Sequence, residues 1–174
     1  QTVDKEYLRK YSEGIECLSG CIRAEIPSAL RHGDEKKTIE LIEEYQSIFE
    51  DDFYIELQDQ DLDFVKKVYK RLNEIAHDMN LPVVATNDVH YVKPEDAYAQ
   101  DVLLAIQTKQ EVNDPNRKLS LLDSPTYYLR SPQEMSELFY NTPEAISNSI
   151  KIADSIDLEI PMGEFIFPKY ETPN

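Results

Sequence analysis

Apolar residues recur along this chain in two rhythms. Three short runs, Ile15-Glu16-Cys17-Leu18-Ser19, Phe53-Tyr54-Ile55-Glu56-Leu57 and Pro82-Val83-Val84-Ala85-Thr86, carry branched and aromatic side chains at the density a strand needs. The third is continuously apolar up to Thr86, the mark of a strand buried on both faces. Between the runs the spacing shifts to every three or four residues, which predicts helices. A first helix is expected around residues 4–12. A second starts at Asp34 as cap, with Ile39, Ile42, Tyr45 and Phe49 on one face. A third starts at Asp63 as cap, presents Val65, Val68, Leu72, Ile75, Ala76 and Met79, and ends at Asn80 and Pro82. Strand–helix–strand–helix–strand predicts an α/β fold, with a parallel sheet or barrel joined by right-handed crossovers.

The second half reads as more helical. Pro94 stands in a first turn beside Glu95 and Asp96, where acids suit the helix dipole. Ser131-Pro132-Gln133-Glu134 has the form of a capping box, and Thr142-Pro143-Glu144 opens a further helix expected to turn Ile146, Ile150 and Ala153 inward. Residues 107–130 lack periodicity, apart from extended character near Tyr127-Tyr128-Leu129, and the tail from Ile160 reads as an exit linker. A closed α/β barrel takes about 250 residues and seven or eight strands. Three good strands and one weak one cannot close, so an incomplete barrel is expected.

Charge narrows the function. The net charge is −16, and residues 34–63 hold twelve Asp and Glu against two Lys. Gripping a phosphate backbone needs a Lys/Arg patch, and no segment supplies one. The acid-rich stretch reads as a solvated helix face and loop. A hydrophobic share of 41% nevertheless supports a packed core. No run approaches the roughly 20 apolar residues of a membrane span. The opening Gln1-Thr2-Val3-Asp4-Lys5 lacks an initiator Met and an apolar leader, so a piece of a longer protein is expected. Cys17 and Cys21, pointing into different environments, are expected to remain unpaired in a cytoplasmic setting.

The segment with most chemistry is Thr86-Asn87-Asp88-Val89-His90-Tyr91, directly after the apolar strand. If its backbone stays extended, Asp88 and His90 project to one side, at the strand end where α/β barrels place their sites. Carboxylate and imidazole suit zinc, manganese or iron, although an Asp cap and a surface His also satisfy so short a pattern. Leu18-Ser19-Gly20-Cys21 likewise follows a strand; Gly20 permits a sharp turn, after which Cys21 could face the same rim. A metal held there with a free position would lower the pKa of bound water for attack on a phosphate ester. Cys17 reads as core, and His32 and His77 as solvated. With four glycines in all, no Gly-rich phosphate loop is found, nor a Ser/His/Asp set.

Six ordered segments carry a resemblance. They are Leu18–Pro27, Phe53–Gln58, Leu81–Tyr91, Asp101–Thr108, Tyr128–Ser131 with Glu134-Met135, and Pro143–Ile146. Together they resemble the PHP (polymerase and histidinol phosphatase) domain of the bacterial DNA polymerase III α-subunit family, from about residue 4 to residue 168. The resemblance implies the C-terminal part of a distorted (β/α)7 barrel over residues 1–165, lacking its N-terminal strands, with residues 166–174 leading toward an absent polymerase palm. Cys21, Asp88 and His90 match three late ligands of the family's polynuclear metal site, and its earlier His-x-His has no counterpart. It also implies Mg²⁺-dependent DNA-directed polymerase activity in the parent, which binds DNA and dNTP outside this acidic piece, and no such activity in the piece alone. Metal-dependent 3′–5′ exonuclease proofreading is one role the family gives this domain. Scaffolding, with docking of an exonuclease subunit or another replisome protein, is the second. A stand-alone PHP phosphoesterase is a third reading, disfavoured by the missing ligands.

Overall fold

The computed structural model describes residues 3–117, 119–160, 162–163 and 167 of the 174. Helix α1 (Lys5–Lys10) begins where Asp4 accepts a hydrogen bond from the Tyr7 N–H. Strand β1 (Cys17–Leu18) is shorter than the apolar run around it. It is followed by α2 (Glu25–Arg31), which the sequence pattern had not revealed. Helix α3 (Glu35–Phe49) is capped by Asp34 as expected, the carboxylate accepting from the Lys37 N–H. Its buried residues are Thr38, Leu41, Ile42, Ile48 and Phe49, whereas Ile39 and Tyr45 pack at the margin.

Strand β2 (Phe53–Leu57) and helix α4 (Asp63–Asp78) follow. Here the expected cap is corrected. Asp63 is the first helical residue, Leu62 occupies the cap, and no side chain caps the end. The α4 face is as the periodicity predicted, with Val65, Val68, Leu72, Ile75 and Ala76 buried. Asn80 takes a left-handed φ of 55°, and its neighbour Leu81 donates back to the Ala76 carbonyl at 2.8 Å, which stops the helix. Strand β3 (Val83–Ala85) completes the series.

Among the described residues the sheet runs β1-β2-β3, with both pairings parallel. Phe53, Ile55 and Leu57 of β2 and Val83 and Ala85 of β3 join the main core, with side chains from α2, α3 and α4. Burying apolar area at about 25 cal/mol per Å² makes this layer the chief source of stability.

The second half contains α5 (Ala97–Thr108), α6 (Pro132–Leu138) and α7 (Pro143–Ser155). Pro94–Asp96 form a 3-10 turn into α5. The capping box stands: Ser131 Oγ accepts from the Glu134 N–H, and Glu134 accepts from the Ser131 N–H. The inward face predicted for α7 holds at Ile146, which packs against the core, and is corrected at the other two positions. Ile150 is 61% exposed and Ala153 is exposed, while Ala145 and Asn148 are buried. The reason lies at the sheet edge, where Asn148 Nδ2 donates to the Val83 carbonyl at 2.7 Å, so α7 turns by what β3 needs. The extended segment near Tyr128 makes only an isolated parallel bridge with Tyr91. The expected linker from Ile160 falls mostly outside the described residues. No described helix is long and apolar enough to cross a membrane.

Candidate metal centre at the rim of the sheet

Two turns leave the C-terminal ends of β1 and β3 and meet beside the end of β2. In the first, Ser19 continues the ladder by donating its N–H to the Tyr54 carbonyl at 3.0 Å. Its hydroxyl accepts from the Glu56 N–H at 2.9 Å. Gly20 then turns with φ 82°, where a Cβ would come within 2.7 Å of Ala24 Cβ. A side chain at position 20 is thus opposed by both backbone conformation and space. Cys21 follows, its carbonyl accepting from the Ala24 N–H at 2.7 Å as the chain enters α2.

In the second turn Thr86 donates its N–H to the Leu57 carbonyl at 3.0 Å. Asn87 is held on both sides, donating to the Tyr128 carbonyl at 2.9 Å and accepting from Arg130 Nη1 at 3.1 Å. Asp88 follows with φ 51°. The extended backbone expected through Asp88 is therefore corrected: the chain makes a left-handed step there, which Asp tolerates better than most residues. This step curls the segment so that His90 Nδ1 lies 2.7 Å from the Asp88 carbonyl and 3.9 Å from its Oδ1.

That contact fixes the chemistry of the ring. A carbonyl oxygen only accepts, so Nδ1 carries a proton, and in the neutral ring the lone pair is then on Nε2. This is the arrangement in which histidine ligates metals. The ring is placed further by Tyr127, which meets it edge-on at 5.0 Å and accepts from the His90 N–H at 2.8 Å.

Charge ties the two turns together. Burial raises the pKa of the half-buried Asp88 carboxyl; nearby Glu56 adds to this and His90 opposes it. The Tyr69 phenol is driven up mainly by burial, then by Glu56, Cys21 and Asp88. The Tyr127 phenol rises for the same first reason and then from Asp88 and Cys21. Cys21 and Asp88 thus both act electrostatically on the same two phenols. Among the described residues, however, no three His, Cys, Asp or Glu side chains form a group that could hold a metal ion. Cys21, Asp88 and His90 are donor types that suit a transition metal, and they lie on the turns that follow β1 and β3 without being gathered into one group.

The remaining candidates lie apart from this rim or do other work. Cys17 packs against the core, and burial pushes its thiol up to about 11, which disfavours the reactive thiolate; both cysteines are unpaired. His32 is exposed and its Nδ1 contacts the Ser28 carbonyl at 2.7 Å; His77 is also exposed. Within the acid-rich stretch Glu56 is an exception to the solvated reading, being 9% exposed. Glu56, Thr86 and Tyr127 adjoin the two turns, and none of them stands out by ligand type and spacing in the sequence. A lone carboxylate inside the buried run Phe53–Leu57 was the available signal.

The chain has recognisable relatives. The sequence profile of the PHP domain matches residues 1–60, which include Cys21 and Glu56. The DNA polymerase III subunit alpha of Treponema pallidum (strain Nichols) is 39% identical over 173 residues, 99% of this chain and 15% of that protein. The same subunit of Thermus aquaticus is 37% identical over 98% of the chain and 14% of its own length. That of Pseudomonas aeruginosa is 33% identical over 99% and 14%. This chain is related along its whole length to bacterial DNA polymerase III alpha subunits. It spans about 15% of the length of these relatives. The alpha-subunit match also covers Asp88 and His90, which the PHP profile does not reach.

Proposed function

We propose that this chain is the later part of the PHP domain of a replicative DNA polymerase III alpha subunit. In this reading residues 1–165 form part of a distorted (β/α)7 barrel, and residues 166–174 lead toward the polymerase palm. The whole protein is then a cytoplasmic, Mg²⁺-dependent DNA-directed DNA polymerase of the replisome. The strongly acidic chain leaves DNA and nucleotide binding to other parts of that protein, and by itself is inactive.

Cys21, Asp88 and His90 are proposed to supply one share of a divalent-metal site for zinc, manganese or iron. The other ligands come from elsewhere in the longer protein. The observation that carries this reading is that Glu56 bonds both the Gly20 N–H and the Thr86 hydroxyl, so the turns leading to Cys21 and to Asp88 lie side by side at the C-terminal end of one parallel sheet. A metal bound there supplies a water of lowered pKa able to attack a phosphate ester. The chain's own part is to hold that water's environment. His90 presents Nε2 because the Asp88 carbonyl accepts from Nδ1–H; Tyr127 meets the ring edge-on; and the Asp88 carboxyl is half-buried beside it. The reaction class that fits is metal-dependent 3′–5′ exonuclease proofreading.

Mn²⁺-dependent degradation of a primer by the intact protein and by His90→Ala tests this. Loss of degradation in the variant is expected, and equal activity contradicts it. A second reading, in which the domain is a scaffold for an exonuclease subunit or another replisome protein, is favoured by α5, which exposes Tyr98, Leu103 and Ile106. Equal activity in the two proteins is the outcome that supports it.

A further inference from the structure

The Glu56 side chain is buried, yet its carboxylate has a donor for both oxygens. Oε2 accepts from the Gly20 N–H at 3.0 Å. Oε1 accepts from Gln58 Nε2 at 2.8 Å and from the Thr86 hydroxyl at 2.5 Å. Gly20 immediately precedes Cys21, and Thr86 lies two residues before Asp88. Its own backbone N–H meets Ser19 Oγ at 2.9 Å, so the residue is fixed from two directions. One side chain on the central strand therefore grips the turn that follows each neighbouring strand.

We propose that Glu56 is a positioning residue. Its carboxylate bridges the Gly20–Cys21 turn and the Thr86–Asp88 turn, and so sets the separation of the candidate ligands on opposite sides of the rim. A parallel ladder alone does not do this, since its last bonds are the Ser19 N–H to Tyr54 and the Thr86 N–H to Leu57. Beyond them each turn is free to swing unless a side chain holds it. Ligation geometry tolerates little such freedom, which is why groups behind the ligands matter to a metal site. Gly20 serves the same contact: its left-handed turn leads directly into Cys21, and its N–H is the donor to Oε2. The polar chain continues through Gln58, whose Oε1 accepts from the Tyr69 hydroxyl at 3.3 Å, so a phenol of the rim rests on the same anchor.

The purpose of this clamp rests on the metal-site reading, but its geometry does not, and the test separates the two. In the intact protein, Glu56→Met removes both acceptors at similar side-chain length, and Glu56→Gln keeps one. Alkylation by iodoacetamide is followed in the presence of a chelator, with modification at Cys21 and Cys17 resolved by peptide sequencing in a mass spectrometer. Cys17 lies in the core side of β1 and serves as an internal gauge of general loosening. Glu56→Met is expected to speed alkylation of Cys21 on the order of tenfold while leaving Cys17 unchanged, and Glu56→Gln to recover part of the protection. Unchanged Cys21 in both variants, or Cys17 accelerating in step with Cys21, overturns the proposal. Because metal is removed throughout, absence of metal in the wild-type protein defeats the metal-site reading and leaves this result standing.

Discussion

The His90 ring donates Nδ1–H to the carbonyl of Asp88 at 2.7 Å, across a backbone step that Asp88 makes with φ 51°. One side chain's backbone thus fixes the other's tautomer. The consequence for the candidate site is directional, because only Nε2 remains to meet an electrophile.

The turn at Gly20 is expected to reject any side chain. Gly20→Ala meets a left-handed conformation costing about 1–2 kcal/mol and a contact at 2.7 Å with Ala24 Cβ. Ala24→Gly in the same protein should restore the contact's share and not the conformational share. Hydrogen exchange of β1 and α2 in single and double variants reads this; full recovery in the double variant would leave the backbone argument without support.

Asn148 is expected to matter more than any apolar residue on the outer face of α7. Replacing it with Ala leaves the Val83 carbonyl buried and unpaired, a loss of about 1–3 kcal/mol in local stability. Exposed Ile150→Ala should cost well under half of that. Hydrogen exchange across residues 143–155 distinguishes the two, and equal effects contradict the edge-capping role.

The segment after α5 hangs on a buried ion pair. Arg117 and Asp101 are 6% and 2% exposed, and Ser120 Oγ adds a bond to Asp101 at 2.8 Å. Asp101→Ala strands a buried guanidinium, a loss of about 3–5 kcal/mol. Limited proteolysis should cut near residues 111–117 far faster in that variant. An unchanged cleavage rate would show that the pair does not hold the segment.

Glu134 carries the pH dependence of the α6 cap. The Tyr128 hydroxyl, with the Ser131 backbone and hydroxyl, lowers its pKa from the ordinary 4.5 to about 2. A lowered carboxyl contributes stability above its unfolded pKa and loses it as pH falls through the folded value. The cap should therefore weaken between about pH 4.5 and about pH 2. In Tyr128→Phe the Glu134 carboxyl should titrate higher, as read by NMR; an unchanged midpoint would remove Tyr128 from the cause.

What the sequence revealed follows the range of each interaction. The Ser131–Glu134 box and the Asp34 cap close within three residues, so they are visible in the letters alone. The parallel order of the three strands is visible too, because buried runs separated by amphipathic helices leave few alternatives. The inward face of α7 was legible at Ile146 but not at Asn148, which is drawn in by a carbonyl 65 positions away. Cys21, Asp88 and His90 are legible only as donor types after two strand ends, and among the described residues they do not form one group. Glu56 and Tyr127 were missed because their importance lies in whom they touch across strands and loops, which spacing does not encode.

If Cys21, Asp88 and His90 serve one metal site in the intact protein, each should be needed to keep the ion. Metal content after dialysis, measured by inductively coupled plasma mass spectrometry, tests it most directly. The wild-type protein is expected to retain zinc, manganese or iron at a stoichiometric level, and Cys21→Ser, Asp88→Asn and His90→Ala each to lower affinity by roughly tenfold or more. Undiminished metal in all three variants would contradict the account.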